Sequence, residues 1–388
     1  MGSVGVRRGQ SRRFRPVESP LFAFVAVALL LIAVDVRPAA AQTQEEEIFH
    51  RIGTLHVPGN PLKSFDAGVV NGTDRVYALA DRSNHGVDLF DPRDDKFLGR
   101  IAGFSGPRSG HGSEAVGPNG LVAVGPQQLW AGDGDSSVKV VDLSARKVVG
   151  VVSTGGTGRV DEMAYDSRDD LVVAANNEDK PPFVTFISTN GDHHVAGRLA
   201  LPQATDGLEQ PVWDPSSGLV YLAVPELDEH SAQGGVAVID PRTRTLLRVI
   251  PVTQCMPAGL ALGPDQQLLV GCSDDAVAAG FPAKSLLVKL PSGEVVHTFQ
   301  QVGGSDEVWF DRKQGIYLLA AVANPGGPVL GVINAREDRW AVNVPTGLRA
   351  HSVAADGATG QAFVPIAATS SDPQCHAGCI AVFAIRHR

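Results

Sequence analysis

Acidic side chains and a histidine recur at matching positions of an internal repeat, spaced by about 48 residues or a multiple of that. The chemically active members of this series are Asp66, Asp161, Glu209, Asp306 and His351, while Gly120 and Ala258 occupy two further positions. Carboxylate oxygens are the ligands that Ca²⁺ and Mg²⁺ prefer, and a nearby histidine can act as a base or an extra ligand. The series therefore predicts a divalent-cation site formed by Asp161, Glu209 and Asp306, with His351 as a catalytic base.

A second interpretation of these acids needs no ligand. Carboxylates at strand starts can accept hydrogen bonds from loop N–H groups or face water, and duplication of the repeat would reproduce them. Like charges held close together repel, and a bound cation, raised pKa values or wide separation across water relieves that repulsion. The sequence leaves both interpretations open.

The repeat itself is marked by an apolar strand that ends in an acid or amide. The four clearest copies end at Asp91, Asp142, Asp240 and Asn334, which are 51, 98 and 94 residues apart, close to one or two periods each. Short strands and Gly/Pro turns at this period are typical of β-propeller blades. Seven units begin near residues 64, 117, 160, 208, 257, 305 and 350.

The last unit supplies only three strands before the chain ends. A fourth is available at residues 48–55, and its pairing with the last unit would close the ring and remove exposed sheet edges. We therefore predict an all-β, seven-bladed β-propeller with four antiparallel strands per blade, formed by residues 48–388. Helical periodicity is absent, so no helices are expected.

Propeller geometry places the acid series on one face. Because neighbouring strands in a blade are antiparallel, the start of each first strand and the end of each second strand lie on the same side, around the mouth of the central channel. Other side chains expected to contact a ligand at this mouth are Asp66, Glu162, Glu307, His85 and His111.

The four cysteines are expected on the same face. A turn at Gly263-Pro264 would place Cys255 opposite Cys272, which predicts a cross-strand disulfide in an oxidising compartment. Cys375 and Cys379 can close a small local ring. A Cys/His metal site that uses His376 is the alternative.

The N-terminus predicts export. An Arg-rich start, an apolar run over residues 21–34 and Ala39-Ala40-Ala41 indicate a signal peptide over residues 1–41, followed by a disordered mature N-terminus over residues 42–47. The mature chain would carry 27 basic and 40 acidic side chains. This balance disfavours nucleic acid as a partner. We expect a periplasmic or secreted monomer without a membrane span in its mature chain.

The unit Val76–Ile101 resembles the YVTN-type repeat of the YncE-like seven-bladed propellers, a secreted bacterial family. The resemblance implies the fold but no single activity, since related propellers include binding proteins, lactonases and lyases. Two functions follow as hypotheses. The first is a binding module that presents its acidic face to a small ligand, metal ion or protein partner. The alternative is a divalent-cation-dependent lactonase, esterase-type hydrolase or lyase.

Overall fold

A computed structural model describes residues 49–71, 75–94, 96–106 and 116–385. The predicted signal peptide, the predicted disordered segment and His111 lie outside the described residues. The described chain forms seven four-stranded antiparallel sheets, which confirms the prediction of a seven-bladed β-propeller. Each sheet is one blade.

The first strand of the described chain is β1 (Phe49–His56). Blades one to three follow in order: β2 (Gly68–Asn71), β3 (Val76–Asp81), β4 (Gly86–Asp91) and β5 (Lys96–Ala102); β6 (Leu121–Val124), β7 (Gln128–Gly132), β8 (Ser137–Asp142) and β9 (Lys147–Ser153); β10 (Met163–Asp166), β11 (Leu171–Asn176), β12 (Phe183–Ser188) and β13 (Val195–Ala200). Blades four and five are β14 (Pro211–Trp213), β15 (Val220–Val224), β16 (Gln233–Asp240) and β17 (Thr245–Thr253); β18 (Pro257–Leu262), β19 (Gln267–Cys272), β20 (Ser285–Lys289) and β21 (Glu294–Phe299). Blade six is β22 (Val308–Asp311), β23 (Ile316–Ala321), β24 (Val329–Asn334) and β25 (Arg339–Pro345).

Blade seven combines strands from both ends of the described chain. It contains β26 (Ala354–Asp356), β27 (Gln361–Ile366) and β28 (Cys379–Ile385), and β1 pairs antiparallel with β28 as its outer strand. The register places Phe49 opposite Ile385 and His56 opposite Cys379.

The core lies between neighbouring blades. One apolar cluster, for example, joins Tyr221 and Val236 of blade four to Leu268 and Val270 of blade five. The second and third strands are covered on both faces by adjacent sheets, and they are therefore largely apolar, whereas the fourth strands are exposed on one side. Burial of each such side chain contributes roughly 1.5–3 kcal/mol.

The acid or amide that ends the third strand has a structural role. Asp91, Asp240 and Asn334 each accept a hydrogen bond from the backbone N–H two residues ahead, at 2.9–3.0 Å. Asp142 accepts from Ala145 N–H at 2.8 Å. These side chains shape the turn into the fourth strand, which accounts for their recurrence.

The expectation of no helices was wrong in detail. A five-residue helix, α1 (Asp274–Ala278), follows β19, and Ser273 caps it by accepting a hydrogen bond from Ala276 N–H. Two 3₁₀ turns lie at Pro264–Gln266 and Pro373–Cys375. In the described ranges, no helix has the length and apolar character that crossing a membrane requires.

Both predicted disulfides form, Cys255–Cys272 and Cys375–Cys379. The predicted register around the first was wrong, because Pro257 rather than Cys255 lies opposite Cys272. The 3₁₀ turn and an irregularity between Pro257 and Leu260 shift the pairing. Cys255 lies just before β18, where its carbonyl accepts a hydrogen bond from Ser273 N–H at 3.1 Å.

Candidate functional site: the acidic channel mouth

The acid series lies where the first strands begin. Asp66, Asp161, Glu209 and Asp306 each precede the first strand of their blade by two residues, and His351 precedes β26 by three. The end of the second strand lies beside this position, as predicted. Two contacts show this. Arg82, which follows β3, donates to Asp66, and Asn177, which follows β11, donates to Asp161.

The backbone of the neighbouring blade approaches closely at, or directly beside, the two positions of the series that lack an acid. A Cβ at Gly120 would lie 2.4 Å from the Asp161 carbonyl oxygen, and one at Gly259 would lie 2.4 Å from that of Asp306. Gly259 directly follows Ala258, the other position without an acid. The neighbouring blade's acid-bearing segment therefore packs against these two blades, and a larger residue at either glycine would displace it.

Three acids of the series have partners from within the chain. Asp66 pairs with Arg82, Asp161 accepts from Arg159 Nη2 at 2.8 Å, and Asp306 Oδ2 lies 3.0 Å from His351 Nδ1. All of them line a cavity of about 510 Å³, which we call the inner cavity; its wall also includes Glu162, Glu209 and Arg349.

His351 is held in a fixed orientation. Its ring stacks on Phe65 with centroids 4.9 Å apart and planes 7° from parallel, and its side chain is 19% exposed. Burial disfavours the charged ring, but the hydrogen bond and charge of Asp306, together with Asp66, outweigh it and raise the pKa of His351. The contact with Asp306 therefore favours the protonated form of the His351 ring.

Three glutamates at the channel mouth form no ion pair with the described residues. Burial and nearby carboxylates raise the pKa values of Glu162, Glu209 and Glu307 well above the usual range of a glutamate. Glu307 is 4% exposed; Ser352 donates to its Oε2 at 2.8 Å, while no described group donates to its buried Oε1. Burial also raises the pKa of Asp161, which Arg159 only partly offsets, to about 6.

A second cavity of about 730 Å³, the outer cavity, adjoins the inner one. Five residues line both cavities: Arg159, Glu209, Asp274, Asp275 and Asp306. Among the described residues, nine acidic side chains but only two basic ones, Arg159 and Lys180, line the outer cavity. Burial and the charges of Asp306 and Asp275 raise the pKa of Asp274 to about 6.

The outer-cavity acids that the sequence analysis missed include Asp179, Asp206 and Glu229. Asp206 lies in the loop between β13 and β14, and Glu229 lies in the loop between β15 and β16. Propeller geometry places both loops on this face of the ring. Their position in the blade was therefore the sequence signal that could have identified these two acids. No position of the repeat predicts Asp206 or Glu229, because the loops that contain them differ in length from blade to blade.

The described residues do not bring together three or more His, Cys, Asp or Glu side chains in an arrangement that could hold a metal ion. The predicted set Asp161, Glu209 and Asp306 lines one cavity, but Arg159 and His351 engage two of its members. His85 lies in the turn between β3 and β4 and lines neither cavity. The Ca²⁺ or Mg²⁺ site stays a prediction.

Comparison with known proteins identifies the fold. No protein-family model matches the chain, so the resemblance to the YVTN repeat stays a prediction. No curated protein matches it either. Among solved structures, Kuenenia stuttgartiensis hydrazine synthase aligns with a TM-score of 0.63 over 86% of this chain and 99% of that chain, at 14% identity. In all, 1555 structure chains match, and similarity this widespread and this low in identity defines the class, a β-propeller, without defining an activity.

Proposed function

We propose that this chain is a binding module that captures a positively charged ligand on its acidic channel face. The observation that carries the proposal is the unbalanced charge of the outer cavity. In the described chain, no ion pair is made by Asp206, Glu226, Glu229, Asp274 or Asp275, although all five line this cavity. By contrast, three acids of the inner cavity, Asp66, Asp161 and Asp306, are paired with Arg82, Arg159 and His351 respectively.

Repulsion among the unpaired acids supplies the binding energy. Bringing carboxylates together in a partly dry cavity raises the free energy of the empty protein, and a cation that neutralises them relieves this cost. A cavity of about 730 Å³ is within the range that binds small organic ligands, roughly 300–1,000 Å³. The site therefore suits an organic cation better than a bare metal ion.

A hydrolase or lyase is the second candidate, and one observation favours it. The Asp306–His351 pair, with its 3.0 Å contact, has the geometry in which a carboxylate orients an imidazole for proton transfer. This pair lines the inner cavity and could act on a substrate bound there.

Thermal unfolding and calorimetry of the mature chain test the binding proposal. We expect n-butylammonium to raise the melting temperature and butyrate to leave it unchanged, with the shift weakened by added salt. Glu209→Gln should reduce the butylammonium shift, whereas Glu294→Gln, on the exposed strand β21, should not. Equal effects of butylammonium and butyrate would contradict the proposal.

The same preparation tests the second candidate. Stabilisation by Ca²⁺ or Mg²⁺ that chelator removes, together with lactone or ester hydrolysis that His351→Gln abolishes, would favour the enzyme. Absence of hydrolysis with an intact butylammonium response would favour the binding module.

A further inference from the structure

We propose that the ligand is a linear aliphatic polyamine that spans both cavities. Its ammonium groups would lie on the carboxylates, and its methylene segments would lie on the apolar walls between them. This inference rests on the proposed function, because it names the class of cation that the acidic face binds.

A buried acceptor independent of the carboxylates points to an N–H donor. Asn177 is 6% exposed and lines the outer cavity. Its Nδ2 donates to Asp161, and this bond fixes the orientation of the amide, since the flipped amide would direct its oxygen at a carboxylate. The Asn177 Oδ1 atom is left without a donor among the described residues. Leaving a buried acceptor unsatisfied is costly, and an ammonium N–H in the cavity would satisfy it.

The distribution of charge favours several ammonium groups over one. Glu209, Asp274 and Asp306 line both cavities, whereas Asp206 and Glu226 line only the outer one and Glu162 only the inner one. One ammonium ion has three N–H donors and can engage only a few of these carboxylates. A chain of ammonium groups can neutralise carboxylates along the whole length of the joined cavities.

The uncharged walls of the outer cavity match the methylene segments. They are formed largely by Pro181, Pro182, Pro202, Ala204, Pro225 and Ala258. None of the described residues that line this cavity is aromatic. Quaternary ammonium ligands are recognised mainly by aromatic faces, whereas primary and secondary ammonium groups form charge-assisted hydrogen bonds with carboxylates. The lining therefore selects amines that carry N–H groups.

Isothermal titration calorimetry with the mature chain tests this inference. The probes are n-butylammonium, 1,4-diaminobutane, spermidine, spermine, choline and Mg²⁺ at constant ionic strength. We expect one bound polyamine per chain and an affinity that rises about tenfold or more with each added ammonium group, as expected for one additional charge-assisted hydrogen bond. Glu226→Gln and Asp206→Asn should lower spermine affinity about tenfold and lower butylammonium affinity by a smaller factor, because one ammonium group contacts fewer of the carboxylates. Glu294→Gln is the control that removes one carboxylate outside both cavities.

Each other result has a definite meaning. If butylammonium binds as tightly as spermine, or choline binds more tightly than butylammonium, the polyamine inference is overturned while cation binding stands. If Glu294→Gln weakens spermine as much as Glu226→Gln does, the attraction is non-specific and the inference is again overturned. If no ammonium compound binds, both the inference and the proposed function are overturned.

Discussion

Replacement of Asp161 by asparagine should stabilise the protein at neutral pH, although it removes a buried ion pair. The pKa of Asp161 is raised from 3.8 to about 6, and this value already includes the favourable charge of Arg159. Each pKa unit corresponds to about 1.4 kcal/mol, so ionised Asp161 costs the fold about 3 kcal/mol relative to its neutral form. Asparagine has nearly the same shape as the neutral acid and retains an oxygen for Arg159 and Asn177.

The gain should depend on pH in a defined direction. The folded-state pKa of Asp161 lies above the unfolded value, so its contribution to stability is present below the unfolded pKa and is lost as pH rises through about 6. The advantage of Asp161→Asn should therefore fall from about 3 kcal/mol at pH 7.5 to less than about 1 kcal/mol at pH 4. For a chain of this length, about 3 kcal/mol corresponds to a rise of about 4 °C in melting temperature.

Asp356 provides a matched control with the opposite sign. Asp161 and Asp356 are each 3% exposed and each paired with an arginine. Burial would raise the pKa of Asp356, but hydrogen bonds from Ala358 N–H, Arg75 and Thr359 outweigh it and lower that pKa. Asp356→Asn should thus lower the melting temperature at pH 7.5. If calorimetry showed that both variants are destabilised alike, Asp161 would be an ordinary structural ion-pair residue. The conclusion that its ionised form destabilises the fold would then be wrong.

Three further predictions concern the ligand site and the fold. Cation affinity measured by calorimetry should fall as pH drops through about 6, because carboxylates with pKa values near 6 then lose their charge; affinity that is flat from pH 8 to pH 5 would contradict this. Gly120→Ala should destabilise the protein by about 1–3 kcal/mol, because its Cβ would meet the backbone of blade three, whereas Gly357→Ala, with nothing nearer than 3.6 Å, should be nearly neutral in chemical denaturation. Loss of the Cys255–Cys272 disulfide should lower the free energy of unfolding by about 3 kcal/mol and loss of Cys375–Cys379 by about 2 kcal/mol, since the two loops close over 17 and 4 residues. Urea unfolding of the two serine double variants measures both losses, and equal or reversed values would contradict this prediction.

The proposals share one physical basis, an excess of carboxylates on one face of the ring. Acids such as Asp66 and Asp161, which pair with arginines, line the inner cavity, while acids such as Glu226 and Asp206, which form no ion pair with the described residues, leave the outer cavity negatively charged. Stability and ligand affinity should therefore oppose each other in this region. Charge-removing variants are expected to melt at higher temperature and to bind cations more weakly.

The amino-acid sequence by itself determined the ring of blades and the position of the acid series. Both depend on the period of about 48 residues, because equal spacing places equivalent residues at equivalent points of every blade. It also predicted which cysteines pair, since Cys255 and Cys272 flank a single hairpin. It did not predict their register, because the 3₁₀ turn at Pro264–Gln266 carries no periodic signal.

The tertiary structure decided which acids form ion pairs and which form none with the described residues. Nothing in the sequence indicates that the side chains of Arg82, Arg159 and Asn177 engage Asp66 and Asp161. The outer cavity likewise forms where loops of blades three, four and five converge, so Asp206 and Glu229 became visible as site residues only in three dimensions. A repeat specifies where the main chain runs. Partners of individual side chains depend on non-repeating loops brought together by the closed packing of the blades.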